Sequence, residues 1–229
     1  MFMKQVILIT GGSSGIGRAT AERLSKRHEV VILARDEEGL QGIADEIGCT
    51  AMRCDVTKYD EIANAVRETI KRFGRVDVLI NNAGLWIQGK LEDNDPDRIQ
   101  EVIAVNTLGP IFCSHAVIPQ MKKQESGLII NVISQAGLYT KAERSVYNAS
   151  KWAMTGFTKS LLDDLLPYGI RVSGLYPGVI RTELFKHGGV DRDLTHTLDP
   201  EQVAKTIEYV VEAGAEVCIP EIGLRSLDA

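Results

Sequence analysis

Tyr147 and Lys151 are the residues whose spacing most directly predicts chemistry. They lie four positions apart, so on a helix their side chains share one face. A free tyrosine has a pKa of about 10, too high for rapid proton exchange near neutrality. A neighbouring ammonium stabilises the phenolate and lowers that pKa, so Tyr147 could give a proton to a carbonyl oxygen or take one from an alcohol. The alternative is a Tyr and Lys pair on a solvated helix face.

A glycine-rich segment near the start of the chain is the second candidate. Gly11, Gly12, Gly15 and Gly17 follow a predicted strand at 6–10 and lead into a predicted helix. Glycines at these positions permit a tight turn and a close approach of the backbone to a pyrophosphate. The helix N-terminus then offers unpaired N–H groups to phosphates. The segment predicts a nucleotide site, and an ordinary strand-to-helix turn is the alternative.

The elements that must position these residues alternate along the chain. Nearly continuous hydrophobic segments occur at 6–10, 30–34, 50–54, 77–81, 128–134, 170–175 and 216–219. Helical patterns occur at 15–27, 37–47, 58–73, 97–122, 145–167 and 200–213, and Asp95-Pro96 and Asp199-Pro200 are start signals. Strands that are apolar throughout are typical of a parallel sheet covered on both faces. We predict a single α/β domain over 1–229, a Rossmann-like doubly wound sheet that binds ligands at the carboxyl ends of its strands.

Composition narrows the class of protein. Hydrophobic residues make up 44% and charged residues 25%, which excludes a disordered or coiled-coil chain. The net charge of −5 and the absence of a basic stripe argue against a nucleic-acid partner. Four scattered cysteines without a CxxC pair predict neither disulfides nor zinc. Short aliphatic runs and the lack of a signal-peptide pattern predict a cytoplasmic protein with no membrane partner.

The segment Thr10-Gly11-x3-Gly15-x-Gly17 resembles the fingerprint of the classical short-chain dehydrogenase/reductase (SDR) family. The family's other motifs follow in order at Asp55-Val56, Asn81-Asn82-Ala83-Gly84, Asn106, Ser134, Tyr147-Asn148-Ala149-Ser150-Lys151 and 177–182. The resemblance covers about residues 5–182. It implies an NADP(H)-dependent oxidoreductase of the carbonyl reductase type. Hydride would pass between the nicotinamide and a small or medium carbonyl or alcohol substrate, with Tyr147 as general acid/base.

The resemblance also implies the other catalytic roles. Ser134 would hydrogen-bond the substrate oxygen and stabilise charge that develops there; where the family often has a second, preceding serine, this chain has Ile133. Asn106 would mark a local helix break whose backbone holds a water in a proton relay to Lys151. Lys151 would also hold the nicotinamide ribose. The alternatives are a turn-forming serine and a surface asparagine.

The implied cofactor contacts extend along most of the matched region. Asp55-Val56 would adjoin the adenine, and Ile180 and Thr182 would clamp the nicotinamide carboxamide; plain turns are the alternative for the segments at 81–84 and 177–182. The predicted cofactor-binding residues are Gly11, Ser13, Ser14, Gly15, Ile16, Gly17, Arg35, Asp55, Val56, Asn82, Ala83, Gly84, Tyr147, Lys151, Pro177, Gly178, Ile180 and Thr182.

The end of the second predicted strand bears on the choice of dinucleotide. NAD-preferring enzymes place a carboxylate there for the ribose 2′-OH, and this chain has Ala34. Arg35 offers a forked cation suited to a 2′-phosphate, so NADP(H) is favoured and NAD(H) remains possible. Asp36 is an alternative ribose ligand. The glycine loop carries Ser13-Ser14 where many NADP(H) enzymes have a basic residue.

The substrate side is less sharply defined. Predicted walls of an apolar pocket are Leu85, Trp86, Gln88, Leu138, Tyr139, Leu184 and Phe185, with ordinary packing as the alternative. Residues 183–199 are predicted to form a short mobile lid over an open site. His187, Asp191 and His196 lack metal-ligand spacing, so no metal is predicted. The resemblance implies a homodimer or homotetramer formed through the fifth and sixth helices.

Two other functions are compatible with parts of the pattern. A non-catalytic NADP(H)-binding regulator could share the fold, although such proteins usually lack the Tyr and Lys pair. An epimerase or dehydratase of the extended branch would carry a larger C-terminal substrate domain than 229 residues allow. Turnover of NADPH separates the reductase from the regulator. A net redox change separates it from the epimerase.

Overall fold

Seven strands form one parallel sheet in the computed structural model, which describes residues 4–36 and 39–227. The strands are β1 (Val6–Thr10), β2 (Glu29–Ala34), β3 (Thr50–Arg53), β4 (Val78–Asn81), β5 (Gly127–Val132), β6 (Ile170–Pro177) and β7 (Glu221–Leu224). The helices are α1 (Gly15–Leu24), α2 (Leu40–Ile47), α3 (Tyr59–Phe73), α4 (Pro96–Ile103), α5 (Gly109–Gln124), α6 (Ser145–Leu165), α7 (Leu184–His187) and α8 (Pro200–Glu212). The strand order β3-β2-β1-β4-β5-β6-β7 confirms the predicted Rossmann-like fold class.

Helices cover both faces of the sheet, which explains the uninterrupted apolar strands. Ile7 and Ile9 of β1 pack on one face with side chains from α1 and α8. Leu8, which points to the opposite face, packs with side chains from α3 and α5. Successive strand residues alternate between faces, and here each face meets a core, so every residue of β1 is buried.

Both predicted helix starts are confirmed. The Asp95 side chain accepts a hydrogen bond from the backbone N–H of Asp97 at the start of α4. Asp199 and Gln202 form a complete capping box at the start of α8. The predicted helix at 37–47 begins at Leu40 in the structure; positions 37 and 38 lie outside the described residues.

The predicted helix at 97–122 is divided by a π-helical turn. The turn spans Ala104–Leu108 and joins α4 to α5. The whole stretch Pro96–Gln124 is long and apolar enough to cross a membrane by length and composition alone. Its α5 part contacts α3, β4 and β5, which is the arrangement of a core helix packed on a sheet.

The last strand lies later in the chain than predicted. The sequence placed it at 216–219, but β7 pairs with β6 from Glu221 to Leu224. Arg171 donates to the carbonyl oxygens of Gly214 (3.0 Å) and Val217 (2.9 Å), which holds the predicted segment in a loop. β7 is an edge strand with alternating exposure, so an apolar run was the wrong signal for it.

Candidate active site

The glycine loop is shaped by backbone contacts that leave no room for side chains. The N–H groups of Gly11 and Gly12 both donate to the carbonyl oxygen of Leu33. A Cβ on Gly17 would lie 2.1 Å from the carbonyl oxygen of Gly11, and Gly11 itself has φ of +66°. Ser14 precedes α1 without forming a side-chain cap, so no side chain there competes for the free N–H groups of the helix. These features fit a pyrophosphate at the N-terminus of α1.

Hydrogen bonds tie this loop to the end of β4. The Thr10 hydroxyl oxygen accepts from the N–H groups of Asn82 and Ala83, each at 3.0 Å. The Asn82 side chain donates back to the carbonyl oxygens of Thr10 and Gly11. A Cβ on Gly15 would lie 3.1 Å from the Thr182 methyl carbon, so the segment after β6 closes over the same loop.

A buried polar network supports the strand ends beneath the site. Asn81 of β4 donates to the side chain of Asn131 on β5 at 2.8 Å and to Ser114 of α5 at 3.3 Å. Asn131 donates in turn to Thr158 of α6 at 2.9 Å. The network links two strands with two helices. Of its members, sequence reasoning singled out only Asn81.

Asn106 lies in the π-helical turn and is almost completely buried, which excludes the surface-asparagine alternative. Its Oδ1 accepts from the N–H of Leu85 at 2.7 Å, and its Nδ2 donates to the carbonyl oxygen of Leu85 at 2.9 Å. The same amide donates to the Ser150 hydroxyl at 3.2 Å. The side chain therefore fixes the loop after β4 against α6, one residue from Lys151.

Tyr147 and Lys151 are both buried on α6, so they do not form a pair on a solvated face. Lys151 Nζ donates to the carbonyl oxygen of Val132 at 3.4 Å. Burial lowers the pKa of Lys151 to about 8. The fraction of Lys151 that carries a proton therefore changes with pH in the range around pH 8.

The sequence predicted that the pKa of Tyr147 is lowered, and this prediction is wrong for the protein without a bound cofactor or substrate. Burial raises the pKa of Tyr147 to about 12, while hydrogen bonding with Ser134 and the charge of Arg144 act in the opposite direction. The physical reason is desolvation: the ring lies under Trp86, with centroids 4.4 Å apart. The Lys151 ammonium lies 5.7 Å from the Tyr147 ring centroid.

Ser134 lies beyond the end of β5, not within a strand as predicted, because β5 ends at Val132. Its backbone has φ of +146° and ψ of 158°, a conformation almost confined to glycine. Its Oγ accepts from the N–H of Ala136 at 3.1 Å, and the Ser134 side chain is close enough to Tyr147 to lower the pKa of that phenol. The preceding Ile133 packs with Met154 and Tyr176.

A cavity of about 600 Å³ joins the glycine loop to the Ser134 and Tyr147 pair. The predicted catalytic and cofactor residues that line it are Gly11, Ser14, Gly15, Ile16, Asn82, Ala83, Gly84, Ser134, Tyr147, Lys151, Pro177, Gly178, Ile180 and Thr182. The remaining predicted residues, Ser13, Gly17, Arg35, Asp55, Val56 and Asn106, lie outside its lining. Within the described ranges 4–36 and 39–227, no group of three His, Cys, Asp or Glu side chains could hold a metal ion.

Arg35 and Asp55 follow β2 and β3, at the strand ends on the same side of the sheet. Arg35 is exposed and pairs with Glu101 on α4, Nη1 to Oε1, at 3.2 Å. Burial alone would raise the pKa of Asp55, but hydrogen bonds from Thr57 and the charge of Arg35 lower it. Val56 is buried beside Gly109, and a Cβ added to Gly109 would lie 3.0 Å from Cγ2 of Val56. Arg35, Asp55 and Val56 thus lie at the strand ends next to the glycine loop but outside the lining of the cavity.

The substrate side differs from the predicted apolar pocket in two ways. Leu85, Trp86, Tyr139, Leu184 and Phe185 line the cavity as predicted. Gln88 is exposed and outside the lining, since the buried neighbour is Ile87. Leu138 packs with Ile133 and Tyr176 and also lies outside the lining.

The second difference is the presence of basic side chains that sequence reasoning missed. Arg144 and Arg192 both line the cavity. Arg144 lies three residues before Tyr147, so helical spacing could have indicated it. Arg192 belongs to the segment 183–199, and a bridge between Ile180, just before the segment, and Leu198 closes its base. Its position depends on how that segment folds back over Trp86.

Comparison with known proteins places the chain in a family. The family model described as short chain dehydrogenase matches residues 5–192, and the chain belongs to this family of oxidoreductases. It is 36% identical over 235 residues to an uncharacterized oxidoreductase of Staphylococcus saprophyticus, covering 96% of this chain and 95% of that protein. It is 33% identical over 220 residues to carbonyl reductase family member 4 of Xenopus tropicalis, covering 92% of each.

Solved structures agree with this assignment. An alcohol dehydrogenase from Thermococcus sibiricus, complexed with 5-hydroxy-NADP, superposes with a TM-score of 0.90 at 26% identity, covering 99% of this chain and 98% of that one. Members of the family use NAD(H) or NADP(H). The glycine cradle and the uncapped start of α1 fit such a dinucleotide.

Proposed function

We propose that this oxidoreductase is an NADP(H)-dependent carbonyl reductase and alcohol dehydrogenase with Tyr147 as its general acid/base. The observation that carries the proposal is that Ser134 and the buried Tyr147 and Lys151 line one cavity that extends to the glycine loop. A phenol, a hydroxyl and an ammonium at one wall of such a cavity suit proton exchange with a carbonyl or alcohol oxygen.

The dinucleotide, when bound, supplies or accepts the hydride. The chain's own residues handle the proton and the oxygen. In the reducing direction Tyr147 Oη gives its proton to the carbonyl oxygen, and the Ser134 hydroxyl donates a hydrogen bond to the same oxygen. Lys151, with a pKa near 8, stabilises the phenolate that remains. Asn106 positions these groups, since it fixes Leu85 against α6.

The preference for NADP(H) rests on Arg35 and on the residue before it. Ala34 leaves no carboxylate at the end of β2, and the Arg35 guanidinium lies exposed beside the glycine loop. A guanidinium can bind a 2′-phosphate through two parallel hydrogen bonds. Asp36 is mostly exposed and lies 3.8 Å from Arg35 Nε, where it is available as a ligand for a free ribose hydroxyl instead.

The lid and the assembly are part of the same proposal. We propose that residues 183–199 act as a flap over the cavity. The bridge between Ile180 and Leu198 closes the base of this segment, and five of its residues line the cavity, namely Glu183, Leu184, Phe185, His187 and Arg192. Exposed Trp152 on α6 and exposed Leu108 beside α5 are consistent with a homodimer through these helices. Sedimentation of Trp152→Glu beside the unaltered protein tests that contact.

The decisive experiment follows oxidation of NADPH and NADH with aldehydes, ketones, α-diketones and β-keto esters. Turnover that requires the Tyr147 hydroxyl, with NADPH preferred, supports the proposal. Tight NADPH binding without turnover of any carbonyl would favour a regulatory nucleotide-binding protein. Recycling of the cofactor without net redox change would favour an epimerase.

A further inference from the structure

Two arginines flank the proposed proton donor. The Arg144 guanidinium lies 5.1 Å from the ring centroid of Trp86, and that of Arg192 lies 5.0 Å from the ring of Phe185. Trp86 packs edge-on against Phe185 at 4.7 Å and against Tyr147 at 4.4 Å. The two cations are therefore stacked on one aromatic group that forms the floor of the cavity beside the phenol.

Neither guanidinium is neutralised within the part of the chain that the structure describes. No ion pair within 4 Å joins Arg144 or Arg192 to a described carboxylate, whereas other arginines of the chain do form such pairs. Those arginines are Arg18, Arg23, Arg27, Arg35, Arg53, Arg75, Arg98 and Arg181. Burial and the charge of Arg192 lower the pKa of Arg144, so the two cations repel each other across the cavity. An anion between them would relieve that repulsion.

The remaining charges of the cavity do not supply this anion. Its described lining holds one carboxylate, Glu183, which pairs with Lys186 at 3.3 Å. The lysine and arginine side chains of the lining are Lys141, Arg144, Lys151, Arg181 and Arg192, of which Arg181 pairs with Asp199. The cavity is thus locally positive in a chain of net charge −5. Such a field concentrates anionic ligands.

The phosphates of the cofactor are expected at the glycine loop, away from Arg144 and Arg192. The free N–H groups at the start of α1 lie beside Ser14 and Gly15, in the glycine loop. Arg144 and Arg192 instead contact the Trp86 and Phe185 cluster, which packs on Tyr147. An anion at these arginines therefore belongs to the molecule whose oxygen meets Tyr147.

We infer that the substrate is a small carbonyl compound, or the corresponding alcohol, that carries an oxyanion bound by Arg144 and Arg192. The inference rests on the proposed function for the identity of the reacting group. A planar guanidinium matches both a carboxylate and a phosphate ester. Each arginine adds charge-assisted hydrogen bonds, and its ring contact holds the guanidinium plane in place.

Kinetics with matched substrates test the inference. One pair is a keto acid and its methyl ester, and a second is an aldehyde phosphate and the unphosphorylated aldehyde. We expect kcat/KM to favour the charged member of at least one pair, and the pair concerned distinguishes carboxylate from phosphate. Arg144→Gln and Arg192→Gln should each lower kcat/KM for that member about tenfold to hundredfold more than for the neutral member, with the difference in KM. Equal use of both members, or equal losses for both, would overturn the inference.

The control variant is Arg72→Gln. Arg72 also stacks on an aromatic ring, that of Phe73 at 5.1 Å, but it lies on α3 and outside the cavity lining. It should leave all four substrates unaffected. A control that weakened only the charged substrates would show a general charge effect and would overturn the assignment to Arg144 and Arg192.

Binding separates this inference from the proposed function. Calorimetry of the NADP⁺-saturated protein with malonate and with the neutral malonamide needs no turnover. Malonate binding that weakens in Arg144→Gln, in a protein that reduces no carbonyl, would support the anion site and defeat the reductase proposal. Turnover of neutral carbonyls, together with equal binding of malonate and malonamide, would support the reductase proposal and defeat the anion site.

Discussion

The indole of Trp86 lies against the phenol of Tyr147, with ring centroids 4.4 Å apart and planes inclined at 55°. This contact removes water from the phenol and contributes to a pKa near 12. The same indole carries the Arg144 guanidinium on its surface. Proton donor, hydrophobic floor and cationic group thus form one packed unit.

Tyr147→Phe should abolish turnover without unfolding the protein. The substitution removes one hydroxyl and retains the ring that packs on Trp86, so the loss is one of proton transfer. We expect kcat to fall about 10²- to 10⁴-fold, while the affinity for NADPH and the melting temperature stay close to those of the unaltered protein. Near-normal kcat in Tyr147→Phe would assign the proton to another group.

Ser134→Gly and Ser134→Ala both remove the hydroxyl, but they differ in backbone strain. At φ of +146° an alanine keeps the strain and a glycine relieves it. We expect both variants to lose activity, and Ser134→Gly to be more stable than Ser134→Ala by about 1–3 kcal/mol. Denaturant unfolding measures the difference. Equal stabilities would mean that the backbone relaxes when the hydroxyl is lost.

Lys151 should make stability depend on pH. Its folded pKa of about 8 lies below its unfolded value of 10.5, so the unfolded chain binds more protons between those values. The free energy of unfolding contributed by Lys151 therefore rises with pH through that window and is lowest below about pH 8. Relative to Lys151→Met, the unaltered protein should gain on the order of 2 kcal/mol from pH 7 to pH 10.

The difference between the two proteins is the quantity to measure. Burial raises the pKa values of Cys49 and Cys54 to about 11, so these thiols lower stability above about pH 9 in both proteins. That contribution cancels in the comparison. A pH-independent difference would mean that Lys151 titrates alike in the folded and unfolded chains.

Arg35→Ala should shift the cofactor preference. Loss of a charge-assisted contact to the 2′-phosphate is expected to lower the ratio of kcat/KM for NADPH to that for NADH about tenfold to hundredfold. Asp36→Ala is the matched control, because the two side chains lie 3.8 Å apart at the same edge. If Asp36→Ala changes the ratio and Arg35→Ala does not, the cofactor is recognised through a free ribose hydroxyl bound by Asp36, and the proposed role of Arg35 is wrong.

Local patterns made much of the fold and the central site predictable. Continuous apolar runs identified six strands near their observed positions, because both faces of the sheet are covered. The glycine spacing and the Tyr147 and Lys151 spacing are set by neighbouring residues on the same turn or helix. Such features need no knowledge of distant packing.

The missed features depend on contacts between distant parts of the chain. β7 takes its register from β6 and from the bonds of Arg171, so its own sequence did not locate it. The phenol's raised pKa follows from the loop that carries Trp86 over α6. Arg192 reaches the cavity only because its segment folds back on itself at Leu198.

The π-helical turn at Ala104–Leu108 has a consequence for insertions and deletions in this gene product. It accommodates one residue more than a regular α-helix would, and each residue of a helix corresponds to a rotation of about 100°. If the same residues wound as a regular α-helix, α5 would be rotated by that angle relative to α4. Val117 and Met121, now buried against the sheet, would then turn sideways. Loss of a single residue at this turn would instead restore regular winding with α5 still facing the sheet, so a one-residue deletion that spares Asn106 should be tolerated better here than within α4 or α5.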